Sequence, residues 1–282
     1  MRVLVTGASG FIGRKLVERL VLEKNEVAIY SRKIACSFPE PIKIFAGDIY
    51  ALSKSIQSFA PHYVFHLAGL SFYPKNAQDR ESLWEANVLF GAKLVEILKN
   101  NKNVVFVNFN TSLAYRGMGI YPHSYYAMTK SCFSQTLSYY SEKKYFTAFN
   151  LILYNVYGDN DTAKRAINYI IDSLGAHIPV LMSPGAQVMD FIHVDDVIQL
   201  CLELLKQTPS IPIEDIHIGT GRGITLKETA HLISALSGKQ TNIQFGGLPY
   251  RDDEKMVNIA PIEHNRFWKS TISIEKGFLS LI

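Results

Sequence analysis

Short apolar runs alternate with longer amphipathic stretches over the first 150 residues, the pattern left by parallel strands joined through crossover helices. Val3-Leu4-Val5, Val27–Tyr30, Lys43-Ile44-Phe45, Tyr63-Val64-Phe65, Val104–Phe109 and Ala148–Leu153 are the predicted strands. Between the first two, Ile12, Leu16 and Leu20 recur at every fourth position with Val17 and Val21 beside them. Arg14, Lys15, Glu18 and Arg19 take the opposite face, so the segment is predicted to be a helix packed on one side. Helices are also predicted over 79–100 and 124–142, although Tyr and Ser crowd the second and blur its period. Beyond about residue 157 the regularity breaks at Gly158-Asp159-Asn160-Asp161, Ser183-Pro184-Gly185 and Gly219-Thr220-Gly221. No repeat, low-complexity tract or long linker interrupts the chain.

Composition narrows the class. The 282 residues are 48% hydrophobic and 19% charged, enough apolar surface to offset ordering entropy, so global disorder is excluded. The 29 Lys and Arg exceed the 25 Asp and Glu by four, and they are scattered, which speaks against a nucleic-acid groove while suiting an anionic small molecule. Cys36, Cys132 and Cys201 lie far apart with no CxxC pair, so neither a disulfide framework nor a metal site is expected, and a reducing cytoplasm is. The sequence opens directly on an apolar strand without a signal-peptide core, and no run approaches the roughly 18 apolar residues of a membrane span; no membrane partner is expected.

Thr6-Gly7-Ala8-Ser9-Gly10-Phe11-Ile12-Gly13 joins the first strand to the first helix. A dinucleotide pyrophosphate meets backbone N–H groups and the positive end of a helix at such a junction. The spacing is GxxGxxG, and its glycines serve the turn, the approach of the phosphates and the packing of helix on strand. The expected fold is therefore α/β, a Rossmann-type doubly wound parallel sheet with a smaller C-terminal substrate-binding lobe. Residues 1–157 are expected to form the dinucleotide-binding domain, with returning elements about 189–218, and residues 158–188 and 219–282 the lobe. Where the second strand ends, an NAD site commonly places an acidic residue on the ribose. This chain has Tyr30-Ser31-Arg32-Lys33 instead. Ser31 and Arg32 offer donors to a 2′-phosphate, so NADP(H) is the favoured cofactor, with NAD(H) as the other possibility.

Tyr126-Ala127-Met128-Thr129-Lys130 puts a phenol and an ammonium one helical turn apart on the same face. A phenol of pKa about 10 is a poor acid or base near neutrality, and an adjacent cation draws it toward the working range. Thr111 follows the apolar run Val104–Phe109 and so sits at the carboxyl end of a strand, where open α/β sheets bind ligands; its hydroxyl is placed to hold a substrate oxygen.

With these residues assembled, the chain resembles the extended short-chain dehydrogenase/reductases, the NAD-dependent epimerase/dehydratase family, over nearly its whole length. The resemblance rests on TGxxGxxG at 6–13, Gly47-Asp48-Ile49, His66-Leu67-Ala68-Gly69, Asn87 to Gly91, Thr111, Tyr126 with Lys130, Tyr154-Asn155-Val156-Tyr157-Gly158, Asp190 to Asp196, and Pro249-Tyr250-Arg251. It implies that Gly7, Gly10, Phe11, Ile12 and Gly13 hold the cofactor's diphosphate. It implies that Asp48 and Ile49 contact the adenine, that Leu67, Ala68, Gly69 and Asn87 line the cofactor, and that Tyr154 lies near the nicotinamide. Thr111, Tyr126 and Lys130 become the catalytic set, with Tyr126 and Lys130 also touching the cofactor. Thr111, Asn155 and Arg251 become contacts of a nucleotide-sugar substrate, and a homodimer is implied through the helices over 79–100 and 124–142.

Departures within the family choose among its chemistries. The catalytic Thr of 4,6-dehydratases is followed by Asp-Glu, whereas here Ser112-Leu113 follows, and Leu transfers no proton. Ser31 and Arg32 point away from an epimerase that recycles NAD and toward a reductase that consumes NADPH. The short length, Thr111-Ser112-Leu113 and the segment Leu248 to Glu254 are similar to the 4-ketoreductases of the CDP-abequose and CDP-paratose synthase kind, which finish deoxy- and dideoxyhexoses of surface polysaccharide. Met189 and Ile152 stand where arginines are usual. An NAD-dependent 4-epimerase and a non-catalytic dinucleotide sensor are the alternatives. His66 and His193 are expected to pack rather than bind metal, and Asp195-Asp196 to cap the helix that follows.

Overall fold

The computed structural model of the chain describes residues 1–31, 38, 42–101, 103–116, 119–161, 163, 165–261 and 268–282. The chain forms two compact units, Met1–Ile152 with Ile198–Ile216, and Leu153–Val197 with His217–Ile282.

In the first unit, β1 (Arg2–Thr6), α1 (Phe11–Leu22), β2 (Glu26–Ser31), β3 (Ile42–Ala46), α2 (Ser53–Phe59) and β4 (Tyr63–His66) follow the expected βα alternation. Then come α3 (Ala77–Trp84), α4 (Phe90–Leu98), β5 (Val105–Thr111), a small antiparallel ribbon β6 (Tyr115–Arg116) and β7 (Gly119–Ile120), and α5 (Tyr125–Glu142). With β8 (Thr147–Leu153) and β13 (Ile213–Ile218) the strands make a seven-stranded sheet in the order β13-β8-β5-β4-β1-β2-β3. The strands run parallel. The chain winds outward from β1 in one direction and from β4 in the other, so the carboxyl ends of β1 and β4 flank the switch point where such sheets open a crevice. All six predicted strands are present. β1 and β4 read as unbroken apolar runs because Val3, Leu4, Val5, Val64 and Phe65 are covered on both faces, whereas β3 carries Lys43 and Ile44 at exposed positions.

The helix predicted over 79–100 is three segments: α3, a π-turn over Glu85–Leu89, and α4. The extra residue of a π-turn shifts the register of the helix partway along, and such turns favour functional positions. Asn87 lies in it, buried. The helix α2 has only Ile56 and Phe59 buried, too few positions to set a period. Phe133 of α5 fills the space over Gly91, where a Cβ would lie within 2.8 Å of its ring, and joins Leu4, Val64, Phe106 and Leu137 in the core.

The second unit is built from short pieces. The strand β9 (Asn155–Tyr157) pairs in parallel with β12 (Phe191–His193), and β10 (Val180–Met182) with β15 (Ile243–Phe245). Between β14 (Ile224–Thr225) and β16 (Val257–Asn258) lies β11 (Val188–Met189). The helices are α6 (Ala166–Asp172), α7 (Val194–Leu204), which continues into the first unit, α8 (Leu226–Ser237) and α9 (Ile274–Leu279). Tyr157, Ile170, Phe191, Ile233 and Phe278 form the core of this unit. Reciprocal hydrogen bonds between Thr225 and Glu228 start α8, and Gly238 at φ +67° ends it.

Two buried carboxylates organise the loops of this unit. Asp190, fully buried, accepts from Thr220 N and Oγ1, Gly221 N and Ala260 N. Asp196 corrects the expectation of helix capping: although it lies in the first turn of α7, its carboxylate accepts from Thr271 N, Thr271 Oγ1 and Ile272 N, tying the C-terminal segment down. Three donors that α7 does not supply outcompete the helix's own first turn for it.

Candidate active site

The loop after β1 has the geometry that its glycines imply. Gly7 sits at φ +71°, and a Cβ there would lie 2.5 Å from Ala68 N, so both its conformation and its contact with the chain after β4 require glycine. Gly10 is the N-cap of α1 in an extended conformation, without a side-chain cap and with no acidic residue in the first turn. Phe11 and Ile12 begin the helix. Gly13 packs so closely that a Cβ would overlap the carbonyl oxygen of Gly7. A helix N-terminus that no side chain caps presents its N–H groups and positive dipole to an anion.

This loop borders a cleft of about 1510 Å3, lined also by Ile29 to Ser31, Gly47 to Ile49, Leu67 to Leu70 and residues of α3 and the π-turn. The space exceeds the roughly 300–1,000 Å3 of a site for one small ligand and suits an extended dinucleotide. The Tyr30 hydroxyl donates to Gly47 O at 2.7 Å, fastening the end of β2 to the turn after β3. In that turn Asp48 Oδ1 accepts from Tyr50 N and Ala51 N, and Ile49 is buried beside it. Ser31 lines the cleft. Arg32 and Lys33 lie outside the described residues.

After β4, Leu67 N and Ala68 N bond to Thr6 O and Thr6 Oγ1. Asn87 then clamps the turn: its Oδ1 accepts from Leu70 N at 2.7 Å, and its Nδ2 donates to Leu70 O and to Thr129 Oγ1. Thr129 Oγ1 in turn donates to Tyr126 O. Both amide protons of Asn87 therefore act within the protein, coupling the cleft wall to the helix that carries Tyr126. A Cβ on Gly69 would stand 2.8 Å from Asn87 Oδ1 and 3.9 Å from Lys130 Nζ, which locates the ammonium at this wall.

Thr111 ends β5, 8% exposed, and its Oγ1 accepts from Leu113 N at 3.3 Å, starting the short helical turn Ser112–Ala114. The hydroxyl of Ser124 caps α5 by accepting from Ala127 N, so Tyr126 lies in the first turn and Lys130 one turn on. Lys130 is only 5% exposed, and burial brings its pKa down to about 8. His66, fully buried among Phe90, Phe106 and Phe133, shares its Nδ1 with Thr6 Oγ1 at 2.9 Å. Burial, and then the Lys130 charge, hold its pKa at about 3. A neutral ring packed in the core is the outcome expected for it.

Three further candidates belong to the second unit. Tyr154 OH pairs with His217 Nδ1 at 3.1 Å, and burial, followed by the Asp190 charge, pushes the phenol's pKa up. Asn155 uses both its backbone N–H and its Nδ2 on Asp190 O. Arg251 is exposed, next to Tyr250, whose hydroxyl accepts from Ala186 N. Sequence reasoning missed the buried polar side chains behind Thr111, namely Asn108, Asn110, Ser134 and Asn150. Their signal was present: two asparagines at alternate positions of an otherwise apolar strand mark a polar stripe on a covered face.

A model of the NAD dependent epimerase/dehydratase family matches residues 3–219. The chain is 28% identical over 285 residues to the CDP-abequose synthase of Salmonella muenchen, covering 100% of this chain and 97% of the relative. It is 23% identical over 271 residues to the GDP-6-deoxy-D-talose 4-dehydrogenase of Aggregatibacter actinomycetemcomitans, covering 90% and 86% of the two chains. Its fold matches that of a UDP-glucuronic acid 4-epimerase from Bacillus cereus, solved with UDP-glucuronic acid and NAD, at a TM-score of 0.87 and 23% identity over 99% of this chain and 97% of that one.

Proposed function

The chain belongs to the NAD dependent epimerase/dehydratase family, and on that premise we propose that it uses NADPH to reduce the C4 ketone of a nucleotide-linked 4-keto-6-deoxy or 3,6-dideoxy hexose, a step in making deoxysugars for surface polysaccharide. One observation carries the choice of reduction over epimerisation: Ser31 and Arg32 stand where an NAD-recycling enzyme has an acidic residue, while Thr111, Tyr126 and Lys130 are all present and Leu113 stands where a dehydratase has a proton-transferring side chain. Full-length similarity to CDP-abequose synthase supports the substrate class.

The cleft's residues suit a dinucleotide. The uncapped start of α1 with Gly7, Gly10, Phe11, Ile12 and Gly13 would hold its diphosphate, Asp48 and Ile49 its adenine, and Ser31 with Arg32 a 2′-phosphate; Leu67, Ala68, Gly69 and Tyr154 would line the rest. When bound, the nicotinamide supplies the hydride equivalent for reduction. Tyr126 gives its phenolic proton to the oxygen that becomes the new hydroxyl. Thr111 donates a hydrogen bond to that oxygen and so lowers the cost of the charge developing there. Lys130, held against Gly69, stabilises the phenolate that remains on Tyr126 and orients the nicotinamide ribose. Asn155 and Arg251 serve the sugar nucleotide.

The state of Lys130 gives this reading a pH dependence. With its pKa lowered to about 8, the lysine carries its charge below that pH and loses it above. Reduction needs both the cation and the protonated phenol. In the free enzyme, kcat/KM for NADPH is therefore expected to be level below pH 7 and to fall about tenfold per unit well above pH 8. A profile that stays flat to pH 10 removes Lys130 from the mechanism.

The reading is tested by following NADPH and NADH oxidation against CDP-, dTDP-, GDP- and UDP-linked 4-keto-6-deoxy sugars. Turnover with at least one of them, at least about tenfold more efficient with NADPH than with NADH, is the expected result; the margin corresponds to roughly one charge-assisted contact to the 2′-phosphate. Purified protein that carries bound NAD, consumes neither cofactor and interconverts 4-epimers is instead an epimerase.

A further inference from the structure

The buried side chains behind Thr111 form one connected set. Thr111 N donates to Asn110 Oδ1 at 2.8 Å. Asn110 Nδ2 donates to Ser134 Oγ at 2.9 Å, and Ser134 lies one turn beyond Lys130 on the same face of α5. Ser134 Oγ also accepts from Asn108 Nδ2 at 3.3 Å and donates to Asn150 Oδ1 at 3.2 Å, using its single proton and both lone pairs. Asn108 Nδ2 reaches Asn150 Oδ1 at 2.8 Å, and Asn150 Nδ2 donates to Asp215 Oδ1 at 2.7 Å and to the Tyr115 hydroxyl at 3.2 Å. Asn108, Asn110, Ser134 and Asn150 are all buried.

Apolar side chains would close a strand against a helix with less desolvation. Hydrogen bonds add direction. Asn108 and Asn110 share one face of β5, so a slip of one residue in β5 would turn both away from Ser134. The bridge therefore fixes how far along α5 the end of β5 lies. Thr111 is on one side of that bridge, while Tyr126 and Lys130 are on the other.

We propose that Asn110 and Ser134 are positioning residues, holding the Thr111 hydroxyl in register with Tyr126 and Lys130. The proposal rests on the reading of those three as the catalytic set. Neither positioning residue need touch substrate or cofactor; each acts through the backbone of Thr111.

The test is a double-mutant cycle in the intact chain, with Ser134→Ala, Asn110→Ser and Thr111→Ala, alone and paired, assayed by NADPH oxidation with the preferred 4-keto sugar. Ser134→Ala and Asn110→Ser are each expected to lower kcat roughly 10- to 30-fold, the scale of a sub-ångström misplacement of a catalytic group, with the Kd for NADPH kept within about twofold. In the Thr111→Ala background, either is expected to cost less than about twofold more, because the group it positions is already gone. Losses that multiply in the paired variants overturn the proposal and leave the bridge as core packing. Amide hydrogen exchange supplies a readout independent of turnover. Ser134→Ala is expected to speed exchange at Thr111 and Leu113 while Phe106 and Val107 stay protected. Unchanged exchange at Thr111 also overturns the proposal. If the wild-type protein reduces no 4-keto sugar, the catalytic reading fails on its own terms, and the exchange result alone decides whether the bridge holds Thr111.

Discussion

Replacing Tyr126 with Phe is expected to lower kcat about a thousandfold, within the 10²–10⁴ range of a lost general acid, and to leave NADPH affinity within about a factor of two. The ring stays half-buried in the first turn of α5, capped by Ser124 and tied through Thr129 to Asn87, so the fold does not depend on the phenolic oxygen for those contacts. What disappears is the only proton donor that this reading gives the reduced carbonyl oxygen. Thr111 and the buried cation Lys130 remain, which is why the residual rate should stay above that of solution. Stopped-flow single turnovers with saturating NADPH separate the chemical step from binding. A variant with near wild-type single-turnover rates assigns the proton to another group.

Gly13→Ala is the second large effect, on binding instead of chemistry. The added methyl overlaps the carbonyl oxygen of Gly7 and stands 3.0 Å from Ala8 Cα, backbone atoms that no rotamer change can move aside. The loop has to open, at a cost of about 1–3 kcal/mol for a methyl forced into a packed site. Opening turns the N–H groups at the start of α1 away from the diphosphate position. An NADPH affinity reduced about 100-fold, with a melting temperature several degrees lower, is expected from titration and thermal unfolding. Wild-type affinity in this variant would mean that the cofactor does not use the loop.

Much of this was legible in the sequence, for a physical reason. Strands β1, β2, β4, β5 and β8 are covered on both sides, so burial imposed apolar runs such as Val3 to Val5 that need no tertiary knowledge to read, and within Val104–Phe109 and Ala148–Leu153 only Asn108 and Asn150 break the run. The glycine loop was readable because Gly7 and Gly13 answer to backbone contacts within and just beyond the motif. Elements shaped by distant partners were not. The carboxylate of Asp196 belongs to Thr271 and Ile272, 75 and 76 positions away, and no local signal distinguishes that role from a helix cap. The π-turn at Glu85–Leu89 contains no proline or glycine to mark the break. The two- and three-residue strands of the second unit are too short to carry any period. Asn108 and Asn110 were visible as an anomaly in an apolar run, yet the purpose of the anomaly emerges only with Ser134 and Asn150 beside them.

The scattered surplus of positive charge can also be placed more narrowly. Lys130 is buried at the cleft wall, Arg251 is exposed on the second unit, and Arg32, outside the described residues, is next in sequence to Ser31. The proposed reading assigns these three cations to binding anionic ligands, whereas exposed pairs such as Arg19 with Glu23 contribute little beyond solubility.

The central claim, that a hydride equivalent is delivered permanently to C4 of a nucleotide-linked keto sugar, is tested most directly by isotope transfer. The enzyme is given NADPH deuterated at the transferable C4 position together with the 4-keto sugar nucleotide that it turns over best, and the product is examined by NMR. One deuterium at sugar C4 in a single configuration, with one NADP+ formed per product, is the predicted result. A product without deuterium, or sugar epimerised at C4 with no net oxidation of the cofactor, contradicts it.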